Sequence, residues 1–138
     1  MRYCRNMLVL ALCVFIIAGC TTFERQKIEV EKTNAEGIYE DFKEITSSKN
    51  VKKVKKTLHN ADWEQVKVDM KRPPDYQFIF QFIDPKIQAK AIPYSVWTSP
   101  NNNTLELVQG DQLYVHLNEK DASILFKILT DSSLADVK

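Results

Sequence analysis

Cysteine, glycine and histidine are scarce in this chain, and each scarcity closes off a kind of chemistry. The 138 residues hold three cysteines, Cys4, Cys13 and Cys20, so nothing beyond residue 20 can form a disulfide, a thiolate metal site or a cysteine nucleophile. The three glycines, Gly19, Gly37 and Gly110, are too few and too scattered for a phosphate-cradling loop. No G-x-S-x-G turn exists to expose a serine nucleophile. His59 and His116 are the only histidines, without an H-x-x-x-H or H-E-x-x-H spacing, and no D-x-D-x-D-G loop occurs. Charge of one sign is missing too, since 19 basic residues face 18 acidic ones, which is no footprint for nucleic acid. The chain therefore reads as a non-enzyme, with no catalytic residues, no metal and no cofactor.

What is present begins at the N-terminus. Arg2 and Arg5 precede an uncharged run from Met7 to Gly19, the order of a secretory signal peptide. Such a run spans about 20 Å as a helix, against about 30 Å of hydrocarbon in a bilayer, too short for a comfortable transmembrane anchor. It ends in Ile17-Ala18-Gly19-Cys20, which looks like the lipobox of bacterial lipoproteins. Small side chains before the cut let an extended backbone enter a narrow peptidase site, and only the Cys20 thiol can carry a thioether-linked diacylglyceryl group. Two acyl chains of palmitate length, at about 0.8 kcal/mol per buried methylene, supply on the order of 20 kcal/mol, whereas one chain binds only marginally. Cleavage is expected after residue 19 and lipid attachment at Cys20. Loss of Arg2 and Arg5 leaves 17 basic against 18 acidic residues.

The remaining length suits one domain. Residues 20–26 read as a lipidated tether, 27–132 as the domain and 133–138 as a tail frayed from about Asp131. Ile28 to Lys32 alternates apolar with charged residues, the period of a half-buried strand. Asn34-Ala35-Glu36-Gly37 is a turn, and residues 38–45 read as a second strand. Ser47-Ser48 caps a lysine-rich helix resting on Val51, Val54 and Leu58, and Trp63 follows a short turn. Val66, Val68 and Met70 alternate with charges, the cleanest strand pattern in the chain, until Pro73-Pro74 breaks it. Tyr76, Phe78, Phe80 and Phe82 put an aromatic face on the next strand. Residues 88–98 read as another strand, weakened at Pro93, and residues 104–108 and 113–117 as two more, joined around Gly110-Asp111. Asn118 caps a final helix with a stripe of Ala122, Leu125, Phe126 and Leu129. This order predicts an α+β single domain, a mainly antiparallel sheet with two helices packed on one face.

Two features could bear on function. The lysines at 49, 52, 53, 55 and 56 could lie against anionic headgroups, though a solvated face accounts for them as well. Tyr94, Trp97 and Tyr114 are candidates for a partner surface, because exposed tyrosine and tryptophan make binding hot spots. Tyr94 and Trp97 fall on opposite faces of one strand, so core or rim packing competes with that reading.

With the lipobox, the lysine-rich helix before Trp63, and the Arg72-Pro73-Pro74-Asp75-Tyr76 and Val96-Trp97 segments in view, the chain resembles small lipoproteins of spore-forming Gram-positive bacteria, the YhfM-like group. The resemblance implies anchoring on the outer leaflet of the plasma membrane. It carries no activity, so no functional residue is transferred beyond Cys20. The expected location is the cell membrane, lipid-anchored at its extracytoplasmic face; in a Gram-negative host, Thr21 rather than aspartate after Cys20 would point to the outer membrane. The functional expectation is a non-enzymatic module that binds an envelope protein or a wall component. The alternatives are a carrier of a small apolar ligand or wall component, lined by Phe78, Phe80 and Phe126, and a cell-wall hydrolase with converging carboxylates or with His116 beside an acid.

Overall fold

The computed structural model describes residues 24–137; the expected signal peptide, lipobox and lipid attachment at Cys20 lie outside the described residues. The first two strands, β1 (Gln26–Thr33) and β2 (Tyr39–Ile45), form an antiparallel hairpin. Its turn is held by Asn34, whose Oδ1 accepts from the backbone N–H groups of Glu36 and Ile38, both at 3.0 Å. Gly37 sits there at φ +80°, a left-handed backbone that a side chain would strain. The register slips between Val30 and Glu31 and leaves Phe42 as an extra residue on β2, a β-bulge.

Helix α1 (Ser48–His59) starts at Ser47, whose Oγ accepts from the N–H of Asn50. Val51, Val54 and Leu58 are buried, as their spacing predicts. Its 12 residues span about 18 Å, close to four strand spacings of about 4.8 Å. The helix thereby carries the chain from the β2 edge toward the opposite edge, where β3 (Glu64–Gln65) pairs with a later strand.

The rest of the sheet comes from β4 (Tyr76–Phe82), β5 (Tyr94–Thr98), β6 (Leu105–Gln109) and β7 (Leu113–Leu117), followed by helix α2 (Glu119–Thr130). The seven strands are ordered β2-β1-β4-β5-β6-β7-β3 and every neighbouring pair is antiparallel. Both helices cover one face, so the expected α+β architecture is the one observed. The core lies between them and the inward residues Ile28, Val30, Phe78, Val96, Leu105, Leu107 and Val115. Asn118 Oδ1 caps α2 by accepting from the N–H of Asp121 at 2.9 Å, and Ala122, Leu125, Phe126 and Leu129 are buried beneath it.

Three expectations are corrected. The alternation Val66, Val68, Met70 predicts a strand, yet only Glu64–Gln65 pairs. The reason is topological: β3 lies at one edge and β4 in the sheet's interior, so residues 66–75 must travel back across the sheet and have no ladder to join. They form a strap on the open face, opposite the helices, where Arg72 and Met70 meet Trp97 and Glu106. The strand expected over 88–98 begins only at Tyr94, because Pro93 has no N–H to give the ladder; its carbonyl instead accepts from the N–H of Gly110 at 2.9 Å. Residues 83–93 are therefore a long loop. The tail expected to fray is docked: residues Leu134–Asp136 form a 3-10 turn, Leu134 is 2% exposed, and the Val137 carbonyl accepts from Asn102 Nδ2 at 2.6 Å. Leu134 in the core and Val137 packed against it hold the tail.

Candidate functional site

The aromatic face of β4 is core at one end only. Tyr76 and Phe78 are buried, while Phe80 and Phe82 are half-buried, because α1 ends before covering the far end of β4. Trp63 closes part of the gap, with its indole Nε1 donating to the Leu58 carbonyl at 2.7 Å. Tyr94, opposite Phe78 across the ladder, stacks on the Phe78 ring with centroids 4.9 Å apart and planes 7° apart. Phe80 and Trp63 meet Tyr94 edge-on, at 5.9 and 6.1 Å, in the T-shaped geometry that aromatic quadrupoles favour.

These rings floor a cleft of about 480 Å³ whose rim is Gln26, Lys55, His59 and Gln109. A smaller hollow of about 210 Å³ adjoins it, sharing Gln26, Phe80, Tyr94 and Gln109 and adding Phe82 and Ile92. Lys55 lies over the Phe80 ring, 5.4 Å from its centroid, and donates to Gln26 Oε1. The side chains of Tyr94, Gln109 and His59 have no hydrogen-bond partner among the described residues. Burial pushes the Tyr94 hydroxyl pKa up, so it remains a protonated donor. An aromatic floor with uncommitted donors and acceptors around it is the composition of a recognition site.

The three candidate partner-surface residues do not come together. Tyr94 faces the helices. Trp97 lies on the open face beneath the strap, 7% exposed, with Nε1 donating to the Arg72 carbonyl at 2.9 Å. Tyr114, also on the open face, donates to Glu106 Oε1 at 2.7 Å; burial first, and then that carboxylate, push its pKa up to about 12. Both rings on the open face are thus held by internal bonds. Trp63, Phe80 and Gln109 join Tyr94 instead. Sequence reasoning singled out Trp63 only as a structural feature and Phe80 only as the lining of an apolar pocket, and the signal for grouping Phe80 and Gln109 with Tyr94 is the sheet order, which brings β4, β5 and β6 side by side.

A broader hollow of about 540 Å³ lies on the open face over β2, β1 and β4, bordered by Glu29, Glu31, Asp41 and Glu44. Lys27 answers two of these acids, at 2.8 Å to Glu29 and 2.6 Å to Glu44. Among the described residues no group of three or more His, Cys, Asp or Glu is placed to hold a metal ion, and no helix is long and apolar enough to cross a membrane. The space expected for a carried ligand between helix and sheet is filled, with Phe78 and Phe126 each 1% exposed; of the three rings, Phe80 is the one that borders the aromatic cleft. His116 is the register partner of Glu106, but its Nε2 bonds with Thr104 Oγ1 at 2.9 Å while Glu106 serves Tyr114.

Fold and site together define an antiparallel-sheet α+β domain with an aromatic cleft on its helix side. The chain belongs to the YhfM protein family, whose profile matches residues 22–135. No curated protein and no solved structure matches it.

Proposed function

We propose that this YhfM family member is a lipoprotein of the cell envelope, held to the membrane by lipid on Cys20, and that its domain is a non-enzymatic binding module. The anchoring rests on Ile17-Ala18-Gly19-Cys20 behind a charged and then apolar leader. The single observation supporting the binding role is the cleft of Trp63, Phe80 and Tyr94, with the Tyr94 hydroxyl, Gln109 and His59 uncommitted at its edge. Ring faces beside hydroxyl and amide groups suit an envelope protein's side chains or a wall component, which present apolar patches interrupted by hydrogen-bonding groups.

Two measurements test the reading. Radiolabelled palmitate should enter the wild-type protein and not the Cys20→Ala variant; equal or absent incorporation removes the anchor. Trp63 lies in the cleft and Trp97 does not, so Trp63 fluorescence in a Trp97→Phe background reports occupancy. Titration with solubilised wall fragments and with detergent-extracted envelope proteins should give a saturable change that Gln109→Arg weakens. A signal indifferent to Gln109→Arg would remove the cleft from the proposal.

A further inference from the structure

The described chain starts at the same end of the sheet as the cleft. Gln26 of β1 pairs with Phe82, the last residue of β4, and the Arg25 carbonyl accepts from the N–H of Ile83 at 2.9 Å. The 83–93 loop therefore begins beside the point where the tether enters the domain. Four residues, Thr21 to Glu24, lie between Cys20 and Arg25, and the five Cα-to-Cα steps that join the two reach at most about 18 Å when fully extended. A lipid on Cys20 allows this end to sit no farther than that from the headgroups.

The composition of this end fits such a neighbour. Ile83 and Ile92 are 41% and 52% exposed, large apolar side chains that no interior packing claims. Lys86 and Lys90 are exposed on the same loop, and Lys55 reaches Gln26 from α1. Arg25 adds a fourth cation, against Glu24 and Asp84 among the neighbouring acids. Apolar tips set among basic residues are how a peripheral domain enters the boundary between headgroups and acyl chains.

We infer that the domain docks on the bilayer through this end, with Ile83 and Ile92 inserted at the level of the anionic headgroups and Lys55, Lys86 and Lys90 paired with them. The inference rests on the lipoprotein reading and adds to it a fixed orientation. The sheet then stands with its β5–β6 turn pointing outward, and the mouth of the cleft, which shares Gln26, Phe80, Tyr94 and Gln109 with the hollow that Ile92 lines, opens beside the membrane surface.

Lipidated full-length protein, reconstituted in vesicles of phosphatidylglycerol and phosphatidylcholine, tests this directly. Once Cys4 and Cys13 leave with the leader and Cys20 is acylated, a single introduced cysteine can carry an environment-sensitive fluorophore. A probe on Ile92→Cys should be quenched by lipid-borne nitroxide at least about threefold more than one on Asn101→Cys in the β5–β6 turn. Adding Lys86→Glu and Lys90→Glu should erase most of that difference, since each lysine near an anionic surface contributes roughly a fivefold preference. Equal quenching at the two sites in palmitate-labelled protein overturns the docking and leaves the anchor standing. Protein that takes up no palmitate overturns the anchor and the docking with it.

Discussion

The indole of Trp97 donates to the carbonyl of Arg72 at 2.9 Å, and this bond ties the strap to the sheet it crosses. One residue further along β5, the Thr98 carbonyl accepts from Arg72 Nη2 at 2.9 Å. The same guanidinium grips Asp75 with two bonds, at 2.7 and 3.0 Å. Asp75 Oδ2 in turn accepts from the N–H and the Oγ1 of Thr98, at 2.7 and 2.9 Å. Four residues thus cover the open face of β5, on which no helix packs.

Trp97→Phe should keep the ring packing and lose the bond. Leaving the half-covered Arg72 carbonyl unpaired costs about 1–2 kcal/mol. Urea denaturation should show that loss of stability with an unchanged slope, and limited trypsin digestion should cut faster at Lys67 and Lys71. A variant as stable and as resistant as wild type would show that the strap is held by other means.

Asp75 gives the fold an acid-sensitive latch. Burial alone pushes its carboxyl pKa up, but the Arg72 guanidinium and the two Thr98 donors pull it down further, leaving it below the usual carboxylate value. A depressed folded value means the stabilisation is complete above the unfolded value near about 4 and is lost as pH falls through the folded one. Asp75→Asn should cost about 1–2 kcal/mol near neutral pH. Thermal melts from neutral pH down to about pH 2 should show the gap between variant and wild type closing on the acid side.

The cap of α2 is separable from its packing. Asn118→Ala removes the acceptor for the Asp121 N–H and should cost about 1 kcal/mol. Leu125→Ala, at a fully buried position, opens a cavity and should cost about 2–5 kcal/mol. Paired denaturation curves check the ranking, and reversed costs would mean that α2 is held by its end and not by its stripe.

Helix α2 also has an unusual exit, because Asp131 adopts a left-handed backbone at φ +61° while its carboxylate meets Lys43 at 2.7 Å. Asp131→Asn keeps a residue that tolerates the left-handed region and removes only an exposed ion pair, so the cost should stay below about 1 kcal/mol. Asp131→Val keeps neither and should cost more than Asp131→Asn by about 1–2 kcal/mol. Differential scanning calorimetry distinguishes the two.

The sequence disclosed those elements whose partners make the local pattern self-consistent. β4 reads correctly because β1 and β5 flank it and its Tyr76–Phe78 side meets α2. Helices α1 and α2 read correctly because cap, stripe and charged face agree. Val66, Val68 and Met70 carry an equally regular alternation and still form no strand. What decides between the two cases is the position of each segment in the strand order, which no local window contains. The cleft was legible only in part for the same reason. Tyr94 could be singled out as an aromatic of uncertain side, but its company of Trp63, Phe80 and Gln109 comes from the turn after α1 and from two other strands, β4 and β6. Trp97 and Tyr114 look equally available in the sequence, and only the strap and Glu106 reveal that they are engaged.

The bulge at Phe42 matters beyond the hairpin it bends. β2 is the outer strand on its side of the sheet, and an unpaired strand is an open template for another copy of the same chain. A second β2 arriving there would meet Glu40, Asp41 and Glu44 facing their own counterparts, and a skipped residue that throws any continuous pairing out of step. The bulge and these carboxylates therefore oppose edge-to-edge pairing of neighbouring copies.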